Sequence, residues 1–182
     1  MTLKFTTSFL EDAIGVFQRY KKLAEAAMTQ VSEEQLAVAL DEESNSIAII
    51  VKHMAGNMLS RWTDFLTTDG EKPWRDRDSE FEVPPANREG LMALWERGWG
   101  TLFEALNGLT EADLARTVMI RSEAHSVMQA VNRQLAHYPY HCGQIVFIAK
   151  HLAREKWNYL SVPRGRSQEF NAQVVAGKIS QR

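Results

Sequence analysis

The chain has 182 residues, of which 45% are hydrophobic and 24% charged, a composition typical of one compact globular domain. Its 21 basic and 23 acidic residues are spread along the sequence and give a net charge of −2, which argues against a nucleic-acid surface. The longest strongly apolar run, 47–51, is too short to cross a membrane, and the start, 1–5, lacks the apolar core of a signal peptide. The single cysteine, Cys142, excludes an intrachain disulfide. We therefore expect one cytoplasmic domain over residues 1–182.

The first half of the chain predicts two long helices. Apolar residues recur at intervals of three and four from 8 to about 28, which indicates the first. Residues 32–35 are typical of a capping box that opens a short helical turn. Ser44 or Asn45 can then cap the second long helix, from 46 to about 66.

A long connection follows at 67–87, where prolines and alternating charges break all periodicity. At about twenty residues it is longer than most loops in compact domains, so it is either ordered by packing or functional. We expect Trp74 to anchor it. A crossover of this length permits the two helices that it joins to run parallel.

The second half predicts two further long helices, over about 88–106 and 125–154. Residues 117–121 look briefly strand-like, although a partial turn fits equally well. Pro139 lacks a backbone donor, so we expect a kink or local irregularity there. The pattern predicts an all-α four-helix bundle, with the long crossover between helices 2 and 3 and a tail from about 157 wrapped outside.

Two histidines of the fourth helix, His137 and His141, lie one turn apart and share a narrow sector with Gln134 and Gln144. Neutral imidazoles are common ligands for divalent transition metals. Buried polar groups cost about 1–3 kcal/mol each unless they are paired. A metal ion with bound water would satisfy this whole set together.

A third histidine, His53, points toward the interior from the second helix, with Asn57 beside it. Two interpretations stay open at this point, because hydrogen-bonded core histidines are common and a pair at i and i+4 arises by chance. Cys142 lies about 100° around the helix from His141, and we expect a buried, inert thiol rather than a nucleophile.

Three segments together resemble the DinB/YfiT-like superfamily, in particular one of its uncharacterised bacterial subfamilies. They are Ile50 to Asn57, His137 to Ile145 and Trp157 to Gly165, and they span most of the chain. The most specific is His-x-x-x-His followed by Gly-Gln-Ile. The resemblance implies a four-helix bundle with a long crossover, a divalent metal, most often zinc or nickel, and a homodimer. The implied metal ligands are His53, His137 and His141.

The better-understood members of that superfamily are similar to thiol S-transferases that use the metal to bind a low-molecular-weight thiol, and others resemble hydrolases or isomerases. The resemblance therefore implies a metal-dependent transferase or hydrolase. Three histidines leave a coordination position open, as at a catalytic zinc. Asn57, Gln134 and Gln144 are candidates for orienting the ligands or the substrate. Arg164 or Arg166 in the tail can meet an anionic substrate group, although a solvent-facing arginine is the default.

The alternative is a non-catalytic dimeric bundle, with a structural metal or none, that acts as a stress-related binding protein. The enzyme predicts a cavity at the metal, whereas the binding protein predicts a closed or dry site. The sequence offers no unambiguous general base beside the histidines, which keeps the alternative open.

Overall fold

A computed structural model describes residues 5–179. Residues 1–4, which belong to the start that is predicted to lack a signal-peptide core, lie outside the described residues. Over this range the protein is mainly α-helical: six α-helices and three short 3-10 helices together make up 62% of the residues, and there is one small antiparallel sheet. The helices are α1 Phe9–Met28, α2 Glu33–Leu36, α3 Ile47–Trp62, α4 Arg88–Asn107, α5 Val127–Ala153 and α6 Ser167–Val175. The strands are β1 Thr117–Ile120 and β2 Glu123–Ser126. No helix among these residues is long and apolar enough to cross a membrane.

Each long helix begins at a polar N-cap whose side chain accepts a hydrogen bond from a backbone amide in the first turn. These caps are Ser8, Ser46, Asn87 and Ser126. The capping box predicted at 32–35 is confirmed at α2. The second predicted helix, however, is capped by Ser46 itself rather than by Ser44 or Asn45.

Two predicted helix ends differ from the structure. The second predicted helix, α3, ends at Trp62 rather than near 66, because Thr63 adopts an extended backbone and Asp64 a left-handed one, with φ 49°. The fourth, α5, begins two residues late because 123–126 pair as a strand. It then continues as helix through Pro139.

The four long helices share one hydrophobic core, in which α1 contacts α4 and α5 while α3 contacts α4 and α5. Phe17, Trp99 and Tyr138 meet at its centre, with ring centroids 5.8–6.3 Å apart. Since these rings come from α1, α4 and α5, a single aromatic cluster joins three of the helices.

Contacts at the helix ends fix the directions of α4 and α5 relative to α1. The guanidinium of Arg88, at the start of α4, donates to the carbonyl of Met28 at the end of α1, so these two helices run antiparallel. Gln30, just after α1, exchanges hydrogen bonds with the backbone of Asn158, just after α5. Helices α1 and α5 therefore run parallel.

Helix α3 runs antiparallel to α5, because His53 faces His141 while Trp62, further along α3, bonds to the earlier Tyr138. With α4 also antiparallel to α5, α3 and α4 are parallel neighbours. The chain between them, residues 63–87, must return along the length of α3. We call this segment the crossover, and its length permits the parallel arrangement as predicted.

The crossover is ordered by polar contacts rather than by a tryptophan. The prediction that Trp74 anchors it is wrong, since this side chain is 60% exposed. The hydroxyl of Ser60 on α3 donates to the carbonyl of Gly70 at 2.9 Å and accepts the amide of Lys72 at 3.0 Å. Further along, the Lys52 ammonium donates to the carbonyl of Val83 at 3.0 Å.

The strand-like segment near 117–121 is confirmed as β1, but its antiparallel partner β2 was not predicted. The carboxylate of Asp69 accepts the amides of Arg121 and Ser122 at 2.9 and 2.7 Å, and both turn residues have positive φ. The hairpin is thereby docked on the crossover. Helix α6, inside the predicted tail, was also not predicted.

The close contact of α3 with α4 at Gly98 yields a stability prediction. A Cβ at Gly98 would lie 3.0 Å from the Cα of Ala55, whereas a Cβ at Gly100 on the same helix meets nothing within 4 Å. We expect Gly98→Ala to lower the free energy of unfolding by about 1 kcal/mol, since overpacking outweighs the gain in helix propensity. Gly100→Ala should raise it by about 0.5–1 kcal/mol.

Urea unfolding of both variants beside the wild type measures this difference. Gly98→Ala at least as stable as Gly100→Ala would show that the two helices are not in backbone contact at this position.

Candidate metal centre

Helices α3 and α5 bring three histidines together: His53 from α3, and His137 and His141 from consecutive turns of α5. One ring nitrogen from each residue lies within 4.8 Å of the others. His53 is only 5% exposed, and the other two are partly buried. All three predicted ligands are thus in one cluster that could hold a metal ion.

The two α5 histidines are held by glutamines of the same helix. Nδ1 of His137 lies 3.1 Å from Oε1 of Gln134, and Nδ1 of His141 lies 2.7 Å from Oε1 of Gln144. The Gln144 amide nitrogen donates to the hydroxyl of Tyr140, which is consistent with its oxygen facing the imidazole. An amide oxygen only accepts, so in this arrangement each Nδ1 carries the proton and each Nε2 presents a lone pair.

The third imidazole is held by a carboxylate from the crossover that sequence reasoning missed. Oε2 of Glu80 lies 2.9 Å from Nδ1 of His53, and both side chains are buried. The Arg75 guanidinium donates to both oxygens of this carboxylate, at 2.8 and 3.0 Å. Glu80 is therefore the carboxylate beside the histidines that the sequence did not reveal. The only signal for it was the unusual length of the segment that carries it.

Burial opposes ionisation of Glu80, but hydrogen bonds from His53 and Arg75, together with their charges, outweigh it and lower the pKa of the carboxyl. An ionised carboxylate only accepts, so Nδ1 of His53 donates to it. This leaves Nε2 as the free ring nitrogen of His53, as in the other two histidines.

The Nε2 atoms of His137 and His141 lie 3.0 Å apart. Two lone pairs at that distance repel unless a cation or a proton lies between them. Burial and the neighbouring imidazoles lower the pKa of His137 to about 3, and burial with the His53 charge lowers the pKa of His141. A proton is therefore held poorly near neutral pH, and the arrangement could hold a metal cation instead.

Asn57 takes a different place from the two glutamines. Its Oδ1 accepts the hydroxyl of Tyr138 at 2.9 Å, and the same hydroxyl accepts the indole N–H of Trp62 at 3.1 Å. Burial raises the pKa of Tyr138 above its ordinary value. Asn57 thus supports the helix contact behind the histidines and holds none of the three rings.

Cys142 follows His141 but faces the core, where it is buried. Burial first, and then the charge of Glu25, raise the pKa of its thiol to about 12. A protonated thiol is a poor nucleophile, which agrees with the expectation of an inert cysteine.

A cavity of about 490 Å³ opens beside the cluster. Its lining includes His53, His137, Asn57 and Gln134 together with five arginines. The tail arginines are not among the described residues that line it. Both are exposed, which agrees with the default of a solvent-facing arginine, and Arg166 pairs with Glu169 on α6.

Fold and site together define a mainly α-helical protein with a three-histidine cluster, at the edge of a cavity, that could hold a metal ion. Residues 4–166 match the family model described as Protein of unknown function (DUF1572), and the chain belongs to this family. The match ends where α6 begins. No curated protein matches the chain.

The lowered pKa of His137 yields a prediction for the metal-free protein. The unfolded chain takes up a proton on this residue below about pH 6.5, whereas the native imidazole resists protonation until about pH 3. The contribution to stability is complete above pH 6.5 and is lost as the pH falls, at up to about 1.4 kcal/mol per pH unit. His137→Asn should therefore lose less stability than the wild type between pH 7 and pH 5.

Urea unfolding with a chelator present measures this slope at each pH. The matched control is His151→Asn, at an exposed position in the last turn of α5, which should keep the wild-type slope. Equal slopes for His137→Asn and the wild type would contradict a buried, neutral imidazole.

Proposed function

We propose that this protein is a divalent-metal-dependent enzyme with a DinB-like four-helix bundle over its single domain, whose metal, zinc or nickel, is held by His53, His137 and His141. The observation that carries the proposal is the convergence of three imidazoles, with one ring nitrogen from each within 4.8 Å of the others, on rings whose Nδ1 lies beside an oxygen acceptor. Histidine ligands of metals have this second hydrogen bond almost without exception.

The donor set fits a zinc or nickel ion. Neutral imidazoles suit both metals, and ligand nitrogens about 2.0–2.1 Å from a tetrahedral zinc are about 3.3 Å apart. The separation of 3.0 Å between Nε2 of His137 and Nε2 of His141 is close to that value. Gln134, Gln144 and Glu80 are the residues that orient the rings.

An enzyme is favoured over a structural clip because three protein ligands leave a coordination position open and a cavity of about 490 Å³ adjoins the cluster. The alternative of a non-catalytic binding protein predicts a closed site. When bound, the metal supplies Lewis acidity that lowers the pKa of a thiol or water at the open position. We propose thiol S-transfer or hydrolysis, with a low-molecular-weight thiol as the first substrate to test.

The residues of the chain have distinct parts in this proposal. The glutamines and Glu80 keep Nδ1 protonated, so each Nε2 is available to the metal. The buried carboxylate also fixes the orientation of the His53 ring. Asn57 lies at the edge of the cavity, where its amide can contact a substrate. We further propose a cytoplasmic homodimer that binds no nucleic acid.

The proposal is tested by elemental analysis of protein purified without a metal-affinity tag. We expect about one zinc or nickel ion per chain in the wild type and none in His137→Ala/His141→Ala, because a single remaining imidazole binds too weakly. The matched control, His125→Ala/His151→Ala, removes two histidines outside the cluster and should keep the metal.

Circular dichroism establishes that each variant is folded. A wild type without metal, even after reconstitution with zinc or nickel, would refute the metal site. The same samples then receive cysteine and glutathione in a calorimeter. Thiol binding that is equal with and without metal would refute the transferase while leaving the metal site intact.

The contact of Gly56 with Glu80 yields a separate prediction. A Cβ at Gly56 would lie 2.7 Å from Cδ of Glu80, whose oxygens are pinned by Arg75. Gly56→Ala should displace the carboxylate from His53 and weaken metal binding by about 10–100-fold, the usual cost of losing such a partner. Competition with a chromophoric chelator measures the affinity.

The matched control is Gly143→Ala on α5, where an added Cβ meets nothing within 4 Å. This variant should bind metal as the wild type does. Equal affinities for Gly56→Ala and Gly143→Ala would show that Glu80 does not support the site.

A further inference from the structure

Arg61, in the last turn of α3, is a buried cation with no carboxylate in direct contact, although Glu71 and Asp69 attract it from a distance. Its side chain lies eight residues after His53 on the same helix face, and it is only 3% exposed. Among residues 5–179, no group accepts a hydrogen bond from its Nε or Nη1, and no carboxylate lies within ion-pair distance. Buried charges in proteins are normally paired, so this guanidinium needs an explanation.

The unpaired guanidinium lines the cavity that adjoins the histidines. Arg133, an exposed residue one turn before His137 on α5, lines the same cavity and has no carboxylate partner in the part of the chain that the structure describes. Three further arginines line the cavity, and each has a carboxylate within 4 Å. They are Arg75 with Glu80 and Glu71, Arg121 with Glu71, and Arg77 with Asp78.

A purely structural role does not account for this arrangement. The stem of Arg61 packs on Gly70, where an added Cβ would lie 2.7 Å from Nη1. A methionine could cover Gly70 equally well without burying a charge. The dipole of α3 favours a cation in its last turn, but it does not replace the hydrogen bonds that the guanidinium lacks.

We propose that Arg61, assisted by Arg133, binds an oxyanion of the small-molecule substrate, a carboxylate or a phosphate. The planar guanidinium fork matches both groups, and no acidic side chain appears among the described residues that line the cavity. The other end of such a molecule then faces His53 and His137. That reactive end rests on the proposed function, whereas binding of the anion requires no metal.

The test is calorimetry on the metal-free, full-length protein with succinate, with inorganic phosphate, and with succinamide as the uncharged match to succinate. At least one anion should bind and succinamide should not. The anion with the lower Kd assigns the substrate group as carboxylate or phosphate. Failure of both anions to bind would overturn the proposal.

Three variants assign the binding to a residue. Arg61→Met keeps the length of the side chain, and it should weaken anion binding by at least about tenfold without lowering the Tm, because it removes an unpaired buried charge. Arg133→Gln should weaken binding by a smaller factor. The matched control, Arg97→Gln at an exposed position on α4, should bind as the wild type does.

Unchanged binding in Arg61→Met, or equal losses in Arg97→Gln and Arg133→Gln, would overturn the proposal. Should Arg61→Met fail to fold, Arg61→Lys decides the question, because it keeps the charge and loses the planar fork.

The His137→Ala/His141→Ala variant separates this proposal from the metal site. It should lose metal and keep the anion, so either site can fail without the other.

Discussion

The position of the crossover and the orientation of the His53 ring both depend on the hydrogen bonds of one buried carboxylate, that of Glu80. It accepts two hydrogen bonds from Arg75 and one from His53, so all three groups are taken out of water together. Removal of Arg75 would leave the buried carboxylate without its cationic partner, a change that costs about 3–5 kcal/mol in other proteins. The missing side chain of Gly56 supplies the space. Because α3 and α4 are parallel, the crossover must pass back along α3, and this passage brings Glu80 to His53.

Arg75 and Arg61 line the same cavity, but they differ in their hydrogen-bond partners. Arg75 forms a bidentate pair with a carboxylate, whereas both buried nitrogens of Arg61 lack a partner. Burial also lowers the pKa of Arg61, in spite of the attraction of Glu71. Proteins retain such locally unfavourable groups mainly at functional sites, where stability is given up for binding. The paired Arg75 therefore supports the structure, whereas the unpaired Arg61 is the arginine available to the proposed ligand.

The parts of the fold that could be predicted from the sequence are those encoded locally. Helix α1 and the start of α4 follow from periodic apolar residues and polar caps. The histidine pair and its glutamines could be placed together because spacings of three and four residues fix a shared helix face. The metal itself, its identity and the reaction remain proposals.

The parts that could not be predicted depend on long-range contacts. Glu80 is 27 residues from His53 in a segment without periodicity, so its partner depends on the direction in which the crossover runs. The apolar pattern of α3 continues past Trp62 to Phe65, and their rings do pack together, although the backbone leaves the helix at Thr63. A hydrophobic pattern thus identifies side chains that share a core without fixing where the helix ends.

The antiparallel pairing of α3 with α5 explains why the cluster and the cavity lie side by side. On α3 the polar positions at intervals of four are His53, Asn57 and Arg61, and on α5 they are Arg133, His137 and His141. Because the two helices run in opposite directions, histidine meets histidine at one end of this stripe and arginine meets arginine at the other. Facing imidazole lone pairs repel one another unless a cation lies between them, and neighbouring guanidinium groups repel one another unless an anion does. The same helix pair thus brings together a cluster that could hold a cation and, beside it, the arginines proposed to bind an anion, as the proposed enzyme with a charged substrate requires.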